Sequence, residues 1–126
     1  MIQKPVMQRV AEFSPNQRIS FYENLISMLA AEVEACYPDG ARPGEEYDKA
    51  IRKVTSLIRI KGKVHAFFKL NIKGDLFPER QARAAYVVEA GVGDMDFLRK
   101  MVKDLDGEPD IQKRVSDILS GVLGRV

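Results

Sequence analysis

The chain has 126 residues, 45% of them apolar and 30% charged, with one cysteine, one histidine and a formal net charge of +2. That length suits one domain of roughly 100–150 residues; no apolar run reaches the roughly 20 residues of a membrane helix, and residues 1–13 lack the apolar stretch of a signal peptide. A lone cysteine excludes an internal disulfide and points to a reducing compartment, read here as the cytoplasm, and the shortage of Cys and His excludes a structural zinc site.

Residues 1–13 read as an N-terminal arm ahead of a single helical domain at 14–126. Ser14-Pro15-Asn16-Gln17 forms a capping box with proline at the first helical position. Ile19, Tyr22, Ile26, Leu29, Val33 and Tyr37 then recur at helical spacing. A helix over about 15–37 follows, ended by Pro38-Asp39-Gly40 and Pro43-Gly44.

Acids at Glu45 and Glu46 open a second helix, opposing the positive end of its dipole. Its apolar line is Tyr47, Ile51, Val54, Ile58, Lys61, His65, Phe68 and Ile72, with Ala50, Leu57 and Val64 beside it. Gly62 interrupts it. The alternation of Val64, Ala66, Phe68, Leu70 and Ile72 also fits a strand, so an α+β alternative places a hairpin at 57–72 turning at Lys61-Gly62-Lys63. A lone hairpin is marginal, and one long helix, with or without a kink, is the preferred reading.

Gly74-Asp75-Leu76-Phe77-Pro78 breaks the chain again. A helix is expected over 78–90 with Gly91 as its C-terminal cap. Asp94 then caps a short helix carrying Phe97, Leu98, Met101, Val102 and Leu105. Asp106-Gly107-Glu108-Pro109 starts a last one with Ile111, Val115, Ile118, Leu119 and Val122. The expected fold is all-α: a compact bundle of about five helices around one long central helix.

Charge is unevenly spread. Residues 49–73 hold eight Lys/Arg and no acid, residues 1–48 hold eight acids against four bases, and residues 74–126 hold ten against eight. Such a block concentrates counter-charged partners. On a helix Lys49, Arg52, Arg59 and Lys63 form a ridge with Ser56, opposite the apolar line; Lys61 and Lys69 support it. Phosphate backbones reward a ridge of this kind. The equally simple reading is a solvated face, or one covered by the protein's own acids. Ile60, Phe67 and Leu70 fall off the main apolar stripe, which implies either a helix covered on two sides or a second contact surface.

Other constellations carry little. Helices 94–105 and 109–120 have helix-turn-helix proportions, but Asp104, Asp106, Glu108 and Asp110 would repel phosphate there. Gly91-Val92-Gly93 follows a helix and lacks the third glycine and Lys-Ser/Thr of a phosphate loop. Cys36 and His65 would need to meet in space to act as nucleophile and base. Glu32 and Glu34 diverge on their helix, while Asp94 and Asp96 lack calcium-loop spacing.

These readings imply a non-catalytic binding or regulatory protein, with no cofactor and no metal. Its basic segment would engage nucleic acid or an acidic protein surface. The alternative is self-association in which the acidic C-terminal third meets the basic segment of another copy. An enzyme site assembled from unconnected residues is the third class.

Overall fold

The computed structural model describes residues 6–38, 40, 43–73 and 78–125. The turn residue Asp39 and the expected break at Gly74–Phe77 lie outside that set. Among the described residues there is no β-strand, and four helices of 15 residues or more build an all-α bundle. They are α1 (Pro15–Cys36), α2 (Glu45–Phe68), α4 (Ala84–Lys103) and α5 (Pro109–Leu123), with α3 (Pro78–Gln81) a single turn. A 3-10 helix spans Val6–Glu12, and a π-helical turn, Lys69–Lys73, extends α2 without a break.

The capping box forms as the sequence dictates. Gln17 N donates to Ser14 Oγ at 3.3 Å, and Ser14 N donates to Gln17 Oε1 at 2.9 Å. α1 places Phe21, Tyr22, Leu25 and Leu29 at the centre of the core. It packs most extensively on α2 and next on α5. Gly40 follows with φ 73°, a region closed to most side chains. α2 starts without a side-chain cap, and Glu45, Glu46 and Asp48 in its first turn oppose the dipole instead.

α2 settles the helix-or-hairpin choice in favour of the helix, with Gly62 inside it. Its buried line, however, is Val54, Leu57, Ile60, Val64 and Phe68, continued by Ile72. The expected line shares Val54, Phe68 and Ile72 with this one, but between them it is displaced by one residue, from Leu57, Ile60 and Val64 to Ile58, Lys61 and His65: Ile58 is 51% exposed and His65 is exposed. Burying the expected line would have taken Lys61 and His65 into the core, and unpaired ionisable groups resist that.

Two further expectations give way. The helices expected over 78–90 and from Asp94 are one helix, which begins only at Ala84 and continues through Gly91 and Gly93. Gly91 is buried, and a Cβ built on it would lie 2.6 Å from the Ala11 backbone. Glycine there lets α4 close onto the 3-10 helix; it does not end a helix. The expected arm at 1–13 also belongs partly to the domain. Val10 is fully buried and Phe13 is 5% exposed, and the 3-10 helix packs on α4 and α5.

The two helical glycines should respond to alanine with opposite signs. Nothing lies within 4 Å of a Cβ at Gly62, so Gly62→Ala is expected to stabilise by about 0.5–1 kcal/mol. Gly91→Ala is expected to destabilise by about 1–3 kcal/mol through overpacking. Urea unfolding midpoints of the two variants check both.

Candidate interaction surface

The cations of residues 49–73 divide into two groups. Arg59 donates to Glu108 Oε2 at 3.2 Å, and Lys63 Nζ lies 3.8 Å from Asp104 Oδ2. Ser56, expected on the outward ridge, is 7% exposed and donates its hydroxyl to the other oxygen of Glu108. Glu108 is the N-cap residue of α5, yet its side chain caps nothing and clasps α2 instead. The acidic turn between α4 and α5 thus sits against the middle of the basic ridge within one chain. Both ion pairs are half exposed, and such pairs contribute about 0.2–1 kcal/mol each.

Lys49, Arg52, Lys61 and Lys69 make no ion pair among the described residues. Lys49, Arg52 and Lys69 are exposed and Lys61 is half buried. Lys49 and Arg52 line a hollow of about 350 Å³ with Lys53 and residues 107–111, a stretch that includes Glu108 and Asp110. At the other end Lys73 stands over the Phe68 ring, 5.1 Å from its centroid.

The apolar trio expected as a second contact surface separates. Ile60 is 2% exposed and belongs to the core. Phe67 is half buried and stacks on Phe97, with centroids 4.0 Å apart and planes 10° apart. For these two, α2 is a helix covered on two sides. Leu70 alone stays outside, 77% exposed. The outward face of α2 and its π turn therefore carries Ile58 and Leu70 among Arg52, Lys69 and Lys73, with no carboxylate on the helix after Asp48. Ile58 was hidden from sequence reasoning by its assignment to the apolar line.

The strongest electrostatic feature lies elsewhere. Arg18 Nε and Nη2 donate to the two oxygens of Asp94 at 2.8 and 2.9 Å, and Arg18 Nη1 donates to the Tyr86 hydroxyl at 3.1 Å. The side chains of Arg18 and Asp94 are 4% and 1% exposed. Burial holds the Asp94 carboxyl above the usual carboxylate range, against the opposing pull of Arg18. Burial also works to lower the Arg18 pKa and is outweighed by the hydrogen bonds and charge of Asp94. Tyr22 lies in the same field: burial first, then the Asp94 charge, raise its hydroxyl far above an ordinary tyrosine. The Arg18–Asp94 pair is a buried bidentate clamp between α1 and α4, so Asp94 is a structural ion-pair partner where a helix cap was expected.

Cys36 is half buried at the end of α1, with its thiol 3.4 Å from Glu32 Oε1. Burial and that carboxylate raise the thiol pKa, which keeps it protonated and a poor nucleophile. His65 is not its partner. Glu32 also accepts from Arg114 Nη2 at 2.9 Å, joining α1 to α5, and this hydrogen bond lowers the Glu32 pKa. Among the described residues no group of three or more Cys, His, Asp or Glu is placed to hold a metal ion, and no helix is long and apolar enough to cross a membrane. The chain matches no protein-family model, no curated protein and no solved structure.

Two predictions follow from these pairs. Asp94→Ala strands a buried guanidinium and is expected to cost about 3–5 kcal/mol, whereas Arg18→Met with Asp94→Leu restores most of it; urea unfolding of both variants measures the contrast. A lowered Glu32 pKa stabilises the fold above the unfolded carboxylate range, a contribution lost as pH falls through the folded value. Glu32→Gln is therefore expected to flatten the acid limb of stability below about pH 4.5, read from unfolding midpoints at successive pH values.

Proposed function

We propose that the protein is a non-catalytic binding protein that docks an acidic protein surface on the outward face of α2. The observation that supports this reading is the mixed character of that face. Ile58 and Leu70, 51% and 77% exposed, stand about 18 Å apart along the helix. Arg52, less than two turns before Ile58, and Lys69, next to Leu70, are unpaired among the described residues. Exposed aliphatic groups gain by burial against another protein, while a phosphate backbone offers them nothing comparable. Cations without acidic neighbours on the same helix steer an acidic partner and exclude basic ones.

Nucleic acid remains the rival partner. Its expected contacts were Arg52, Arg59 and Lys63, and two of these three already face Glu108 and Asp104. Phosphate bound there would have to displace both carboxylates. The acidic-surface reading needs neither displaced.

Fluorescence anisotropy with a labelled acidic amphipathic helical peptide and with a labelled DNA duplex separates the two. Leu70→Asp and Lys69→Glu are each expected to weaken peptide binding about tenfold, with little effect from Lys63→Ala. Duplex binding that survives Ile58→Asp and Leu70→Asp but fails with Arg52→Glu would replace this reading with the nucleic-acid one. No binding of either probe at low salt removes both.

A further inference from the structure

A half-open face of α4, exposed at Ala85, Val88, Val92 and Arg99 and packed partly on the core at Met95 and Val102, carries a second pattern that the α2 surface does not use. Ala85, Val88, Val92, Met95, Arg99 and Val102 recur at alternating three- and four-residue intervals, the spacing of a coiled-coil seam. They lie on one unbroken helix, beside the face that buries Gly91, Asp94, Leu98 and Met101. Val88 and Val92 are 62% and 51% exposed, unusually open for two valines one turn apart.

The two ends of this seam are complementary. At its N-terminal end stand the exposed valines, with Glu89 on their flank. At its C-terminal end, about 21 Å from Val88, a groove of about 370 Å³ runs between α4 and α5. Val102, Leu119 and Leu123 floor it, and Arg99 and Lys103 rim it. Asp106 on the same rim is held by Gln112 Nε2 at 2.9 Å. Glu89, Arg99 and Lys103 make no ion pair among the described residues.

We infer that α4 is the interface of a two-fold symmetric homodimer, with the two copies of α4 antiparallel. A patch with knobs and an acid at one end, and a groove and bases at the other, complements itself under a two-fold axis. With the axis near Gly93 and Asp94, Val92 of each protomer meets Met95 of the other. Ala85 and Val88 seat over the opposite groove, and Glu89 reaches along the flank toward the opposite Lys103, about 7.5 Å further along the helix, twice per dimer. Asp96, on the same flank and about 4 Å along the helix from the axis, approaches its own copy at the same offset and opposes the contact. This arrangement differs from pairing of acidic and basic segments between chains, because Glu108 and Asp104 are engaged within their own chain.

Light scattering and sedimentation over a concentration series test the inference, with circular dichroism reporting folding. The wild type is expected to move from 14.2 kDa toward twice that mass. Glu89→Lys and Lys103→Glu are each expected to weaken association about tenfold or more, because two attractions become two repulsions. An equimolar mixture of those two variants is expected to regain the dimer, since the mixed pair restores both attractions, and Asp96→Asn is expected to tighten it. A folded wild type that stays at 14.2 kDa at millimolar concentration overturns the inference. So does a dimer indifferent to Glu89→Lys, or a mixture that remains monomeric.

Discussion

The bundle depends on a charged pair in its interior. Arg18 and Asp94, 76 positions apart, meet in a bidentate contact that water scarcely reaches. Interiors tolerate such a pair only when geometry and hydrogen bonding replace the lost hydration, and Tyr86 takes a further guanidinium donor. An apolar pair could slide along the helices by a turn at small cost; a fork-and-carboxylate pair cannot. The pair therefore ties the position of α4, which packs chiefly on the 3-10 helix, to α1. That position brings Gly91 against Ala11 and leaves Val88 and Val92 facing outward.

A second charge contact organises the opposite side. Glu108 gives its carboxylate to Ser56 and Arg59 of α2, leaving the first turn of α5 without a side-chain cap. Pro109 and Asp110 at the start of α5 compensate, one by its fixed φ and one by its charge. The acidic turn consequently neutralises the middle of the basic ridge and leaves its ends free. The surviving cationic surface among the described residues is then smaller than the sequence implies and interleaved with the exposed aliphatic side chains of Ile58 and Leu70.

Local rules made part of this structure legible. The Ser14 box, the acids before α2 and Pro109 each act within one turn of the chain, and α1, α2 and α5 start where they indicate. The face of α2 was less legible, because Leu57 and Ile58 offer two apolar stripes, and only the packing partners decide between them. Gly91 misled in a different way. Glycine ends helices by its backbone freedom, but here its missing side chain is what matters, and that need arises from the distant Ala11. The Arg18–Asp94 pair and the Glu108 clasp had no local trace at all. Each joins residues tens of positions apart, and charge counts alone do not reveal partners. The α4 seam went unseen for the same reason as Gly91: a helix divided at residue 91 has no continuous face.

The 3-10 helix has a consequence for the order in which the molecule is made. Val6–Glu12 packs on α4 and α5, and its Ala11 backbone lies against Gly91 of α4. During synthesis α1 and α2 are together early and can pair as a helical hairpin. Phe13 can pack early on Phe21 of α1, their ring centroids 5.6 Å apart, but the 3-10 helix that carries Val10 lacks its partners α4 and α5 until about eighty further residues have been made. Contacts of such long sequence separation slow folding, so docking of the 3-10 helix follows the pairing of α1 with α2.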